Sequence, residues 1–183
     1  MPTELPILNP TGPLMAQPTD ALLDEASRRL QLELPPSYRE FARRYGYGLT
    51  AGLFMIAVPV DTAGAEWSED LVERSAELAQ ELAASVDGKY ISYKPDGTEE
   101  RVRRLVPFGA SENGDILAWD PRERAPDGEY AVYVIGARKY GVSRVAEGFA
   151  EFLNKVLEPN TGGVLARATF TLEATFEPRA ARS

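Results

Sequence analysis

The chain has 183 residues and not one histidine or cysteine among them. That removes the side chains most used for proton shuttling, thiol nucleophiles and zinc ligation. A serine nucleophile would then need a lysine base, and Lys89, Lys94, Lys139 and Lys155 are the only lysines. None stands in a Ser-x-x-Lys arrangement. Without cysteine there is no disulfide framework, and the cytoplasm is the expected compartment. Phosphate-binding signatures are missing too: there is no Walker pattern, and Gly136 to Gly141 lacks the glycine spacing of a dinucleotide loop. The longest apolar run, Leu53 to Val60, falls well short of the roughly 20 residues that cross a bilayer. Met1 to Pro6 has neither the basic nor the apolar stretch of a secretory signal, so no membrane association is expected. No enzyme activity, cofactor or metal is expected either.

Positive charge is also scarce, with 20 Lys and Arg against 28 Asp and Glu, a formal net charge of -8. Most of the excess lies between Asp61 and Asp87, where eight acidic residues face the single Arg74. Such a balance argues against binding nucleic acid through its phosphates and suits a basic protein partner. What is present is the composition of a globular chain, 44% hydrophobic and 9% aromatic, with enough residues for one well-packed domain.

Five prolines in residues 1–18 predict an extended arm that lays Leu5, Ile7, Leu8 and Leu14 on the body. Behind it, Asp20 is a candidate cap for a helix carrying Leu22, Leu23, Ala26 and Leu30 and ending near Gln31. Pro35-Pro36 opens a second helix, with Tyr38, Phe41, Ala42 and Tyr45 at core-facing spacing and Gly46 and Gly48 to stop it. Leu53 to Val58 reads as a strand. Trp67, Leu71, Leu78, Leu82 and Val86 mark a long helix whose outer face is acidic.

Further on, Lys89 to Lys94 and Arg101 to Leu105 suit a hairpin around Pro95-Asp96-Gly97, with a polar loop over Glu99 to Arg104 as the alternative. Asn113-Gly114 supplies the positive φ angles of a tight turn between strands at Arg104 to Phe108 and Asp115 to Asp120. Tyr130 to Ile135 reads as a central strand, and Trp119, on the same side of its strand as Leu117, as core. Ser143 is a plausible cap for a last helix through Phe149, Phe152, Leu153 and Val156. From Val164 to Phe176 apolar residues alternate strictly with polar ones. The pattern predicts a strand of thirteen residues, roughly 43 Å long, that either bends or reaches past the domain.

Five carboxylates, Glu112, Asp115, Asp120, Asp127 and Glu129, cluster in the hairpin region. They offer hard-cation ligands or a carboxylate pair for hydrolysis, although acidic hairpin tips are commonly acidic only because they are wet.

In order and spacing these elements resemble the SUKH superfamily, the Smi/Knr-type domain of fungal cell-wall regulators and of many bacterial immunity proteins. The resemblance is carried by Leu34-Pro35-Pro36-Ser37-Tyr38 through Phe41 and Tyr45-Gly46, and by Leu105-Val106-Pro107-Phe108-Gly109 with Asn113-Gly114-Asp115. Tyr130-Ala131-Val132-Tyr133 and Val145-Ala146 through Phe149-Ala150-Glu151-Phe152-Leu153 complete it. It implies an α+β fold with helices on a mostly antiparallel sheet and a surface or cleft that binds other proteins, in bacterial members often toxins such as nucleases. The division expected is an arm over residues 1–18, the SUKH domain over 19–158 and a strand extension over 159–183.

The leading expectation is therefore an immunity protein that neutralises a basic toxin domain, with Glu66, Glu69, Asp70, Glu73, Glu77, Glu112, Asp115 and Asp120 as contacts. A regulatory or scaffold module that self-associates through residues 164–176 is the alternative. A carboxylate- or metal-dependent hydrolase centred on Glu112, Asp115 and Asp120 is the third.

Overall fold

Strands buried on both faces need an apolar residue at every position, and Tyr130–Ile135 meets that demand. In the computed structural model, which describes residues 3–61 and 69–180, this strand sits deep inside the sheet. The strands are β1 (Asn9–Pro10), β2 (Gly48–Thr50), β3 (Phe54–Ile56), β4 (Ser92–Pro95), β5 (Val106–Ser111), β6 (Ile116–Arg124), β7 (Tyr130–Ile135), β8 (Tyr140–Ala146) and β9 (Thr175–Pro178). Their order across the sheet is β1-β9-β2-β3-β5-β6-β7-β8-β4. Pairing is antiparallel throughout the middle and parallel only at the two ends, β1 with β9 and β4 with β8.

The helices are α1 (Asp20–Leu30), α2 (Pro36–Tyr45), α3 (Leu71–Asp87), α4 (Glu99–Arg104) and α5 (Phe149–Val156). They cover both sides of the sheet, and the period of two along β6 and β7 assigns each side its own core. Leu117, Trp119, Tyr130, Val132 and Val134 face α1, α2 and α5 through Leu23, Tyr38, Phe41, Phe149 and Phe152. Ile116, Ala118, Ala131, Tyr133 and Ile135 face Leu78, Leu82 and Val86 of α3 and Val102 of α4. Trp119 lies at the centre of the first core, stacked on Phe108 at 4.4 Å and edge-on to Tyr38 at 5.0 Å. Among the described residues no helix is long and apolar enough to cross a membrane.

Several local expectations change in the folded chain. Thr19, not Asp20, caps α1, its hydroxyl accepting from the Leu22 N–H at 3.3 Å. The stretch from Glu99 to Arg104 is neither strand nor loop but the short helix α4, capped by Thr98 and anchored by Val102. β4 accordingly pairs with β8 rather than with a hairpin partner. Ser143 lies within β8, and α5 begins only at Phe149. In the β5–β6 turn Gly114 alone takes a positive φ, 95°. Of the arm's apolar residues, Leu5 and Leu8 are buried whereas Ile7 and Leu14 are exposed. Trp67 and Glu66 lie outside the described residues, and α3 starts at Leu71 behind its cap Asp70.

The largest correction concerns the C-terminal strand. Val164 to Ala174 is not extended sheet, and only Thr175–Pro178 pairs. Two physical causes override the alternation. Gly162 and Gly163 turn the chain with φ of 55° and 77°, which buries the adjacent Val164 and Leu165 together. The open edge of β2 is also only three residues long and offers no partner to the residues before Thr175.

Candidate functional site

Neither Pro35 nor Gly148, the residues before α2 and α5, caps its helix with a side chain. The first-turn amides of both helices therefore need another acceptor. It comes from the β6–β7 hairpin, whose turn closes through Gly128 N–H to Ala125 O at 2.9 Å and delivers Glu129 between the two helices. One Glu129 oxygen accepts from the Ser37 N–H at 2.8 Å; the other accepts from the Ser37 hydroxyl at 2.8 Å and the Phe149 N–H at 3.2 Å. Ser37 Oγ in turn accepts from the Ala150 N–H at 3.1 Å. A carboxylate at two helix N-termini is favoured by both dipoles as well as by its hydrogen bonds. Gly148 makes room for it, since a Cβ there would stand 3.0 Å from Glu129 Cβ.

Above this clasp opens a cleft of about 260 Å3 lined by Thr3, Glu4, Pro36, Ser37, Glu40, Ala125, Asp127, Glu129, Glu147, Gly148, Ala150 and Glu151. Half of these residues are carboxylates and none is basic. Arg44, Arg144 and Lys155 reach Glu40, Glu147 and Glu151 from outside the lining. Beside Glu147, Arg144 holds its carboxyl below the usual carboxylate range, against the opposing effect of partial burial. A lining that mixes Pro36, Ala125 and Ala150 with carboxylates suits the aliphatic stem and charged head of a lysine or arginine. Among the described residues no three acidic side chains converge closely enough to hold a metal ion.

A chain of ion pairs supports one wall. Asp120 is fully buried; Arg104 grips it with two bonds of 2.8 and 2.7 Å, Arg101 adds one at 3.1 Å and the Arg122 N–H one at 3.0 Å. Burial alone would raise the Asp120 pKa, but Arg104, the Arg122 N–H and Arg101 outweigh it and hold the carboxyl below its ordinary value. Arg101 continues to Glu123, which also accepts from Tyr133 Oη and from Arg144, and Arg144 ends at Glu147 on the rim. Burial, then the hydrogen bond to Glu123, pushes the Tyr133 hydroxyl up to about 12.

The acidic residues expected as contacts are scattered over other parts of the molecule. Glu73 and Glu77 are exposed on the outer face of α3. Glu69 is half-buried and hydrogen-bonds Tyr47. Asp70 is nearly buried and caps α3 through the Val72 and Glu73 amides at 3.0 and 3.4 Å. At the β5–β6 tip Glu112 is exposed, while Asp115 is tied to Ser111 Oγ at 2.5 Å and to the Ala137 N–H at 2.9 Å. Asp120 stands five residues further along β6, roughly 17 Å away on strand geometry, and has no surface to offer a partner. Glu112, Asp115 and Asp120 therefore share no cleft, which removes the geometric basis of the carboxylate-hydrolase set. Asp127 and Glu129 belong to the acidic cleft instead, joined by Glu4, Glu40, Glu147 and Glu151, which no local pattern had marked.

A mostly antiparallel sheet flanked by helices, gathering carboxylates where two helix starts meet and using neither imidazole nor thiol, has the build of an α+β binding domain. The model of the SMI1 / KNR4 family (SUKH-1) matches residues 17–155, and the chain belongs to that family. This family takes in immunity proteins and Smi/Knr-type regulators, and a non-catalytic binding role fits it. No curated protein matches the chain.

Proposed function

We propose that this protein is a non-catalytic binding domain that captures a basic protein partner, and that the partner is a toxin, of nuclease type, to which it confers immunity. The observation that carries the reading is the cleft where α2 and α5 begin: six carboxylates with Pro36, Ala125 and Ala150 among its lining, and no basic residue among the described residues that line it. Of the segments that build it, Leu34 to Phe41, Ala125 to Glu129 and Val145 to Leu153 lie inside the family-matched region, and the arm residues Thr3 and Glu4 lie outside it. A lysine or arginine seated there would displace little ordered structure, because Glu129 is already held by N–H and O–H groups. Glu73 and Glu77 on α3, Glu69 just ahead of it, and the hairpin at Glu112 and Asp115 extend the same negative field and speed encounter with a basic surface.

Capture from the native lysate tests this directly. A basic protein is expected to co-purify with the wild-type chain and to be lost, along with protection in a co-expression toxicity assay, on combining Glu40→Lys with Glu151→Lys. Retention of the same partner by that variant would falsify the cleft as the contact.

A further inference from the structure

Gly48, the first residue of β2, has no room for a side chain: a Cβ there would lie 2.4 Å from Glu177 O and 2.6 Å from Phe176 Cζ. The ring it cradles is fully buried, 5.3 Å from Tyr45 and 6.1 Å from Phe41. Around that socket the backbone of β9 bonds to both neighbours. Arg179 N–H donates to Tyr47 O at 3.0 Å and Thr175 O accepts from Ala51 N–H at 2.8 Å, while Asn9 and Thr11 of the arm donate to Ala174 O and Phe176 O at 2.8 and 2.9 Å. The result is a strand slot with one aromatic socket. Its walls, Phe41, Tyr45 and Gly48, belong to the family-matched segment 17–155, whereas the strand that fills it does not.

The filling strand hangs on a long tether. Leu165 is the last buried residue before Phe176, and none of residues 166–175 is buried. Nine extended residues, 166–174, reach roughly 30 Å. Releasing β9 would withdraw the buried Phe176, the partly buried Leu172 and Ala174, the Arg179 contacts and a few backbone bonds, still far less than unfolding either core, and such elements open locally before the whole molecule does. The freed β2 edge would present unpaired N–H and C=O groups to any matching strand.

We propose that the β2 edge with its Gly48 cradle is an exchangeable strand-binding site, filled in cis by β9 and in trans by the β9 of a second copy of this chain. The same bonds form in either case, so the exchange is governed by the tether and by protein concentration.

The test uses the full-length chain refolded from urea at low and at high protein concentration, followed by size-exclusion chromatography with light scattering. A dimer is expected at high concentration only. A synthetic peptide spanning Glu173 to Ala180, present in excess during refolding, should fill the slot and suppress that dimer. The same peptide carrying Phe176→Ala should need at least about tenfold more to do so. A monomer at every concentration overturns the proposal, as does a dimer that the first peptide leaves untouched or that both peptides suppress equally.

Discussion

The outer face of α3 and the cleft between α2 and α5 carry the same sign of charge by different means. On α3 the carboxylates stand in solvent and lean on lateral cations: Glu77 on Arg74, Glu81 on Lys139, Asp87 on Arg103. The Glu77–Arg74 and Asp87–Arg103 pairs are exposed, so they are screened by salt and contribute little to stability, whereas Lys139 opposite Glu81 is itself buried. In the cleft, Glu129 holds two helix starts together while the other carboxylates line the cavity with Pro36, Ala125 and Ala150. Under the proposed function, acidity on the helix steers a partner at a distance, whereas acidity in the concave site both shapes the fold and selects what fits. Asp120, buried among arginines, marks the far end of the same series, where charge serves structure alone.

Removing charge along this series is the sharpest way to break the comparison. Asp120→Asn leaves Arg101 and Arg104 without their buried partner and should cost about 3 kcal/mol. At about 2–4 °C per kcal/mol for a chain of this size, the melting temperature should fall by about 6–12 °C in calorimetry. Glu129→Ala uncaps α2 and α5 together and should cost about 2 kcal/mol, with Ser37→Ala smaller at about 1. If Glu129→Ala melts within a degree of wild type, the clasp is not structural.

Acid should act through the same groups. The Asp120 and Glu147 carboxyls titrate lower in the folded chain than in the unfolded one. Their contribution is thus whole above the unfolded values near pH 4 and is lost as pH falls through the lowered folded values. Urea midpoints should drop between about pH 5 and pH 3, and Asp120→Asn should flatten that drop.

Two smaller effects complete the ranking. Charge reversal at Glu69, Glu73 and Glu77 should slow partner association by about tenfold at low salt and leave dissociation nearly unchanged, as measured by surface plasmon resonance. A change in dissociation alone would move α3 from steering to contact. Glu77→Gln should alter stability by less than about 0.5 kcal/mol.

How much of this was legible in the residues depended on how local each signal is. Tyr38, Phe41, Ala42 and Tyr45 announce α2, and all four are buried. Tyr130 to Ile135 could only be an interior strand, and Trp119 sits where strand alternation put it. By contrast α4 offers a single apolar residue, Val102, in six, too little for a periodicity. The alternation after Gly163 is a true strand pattern without a partner long enough to pair it. Glu129 is separated by 92 residues from the Ser37 it caps, and a cap supplied from another hairpin leaves no mark beside the helix it serves. The cleft escaped detection for the same reason: its carboxylates come from the arm, α2, the β6–β7 turn and the start of α5.

The seat of Phe176 also sets a timetable for biosynthesis. A ribosome extends a chain by roughly 5–20 residues each second, so Gly48 emerges on the order of ten seconds before the ring that will rest on it. Through that interval the nascent sheet has a naked border, and the codons around Phe176 decide when it is sealed.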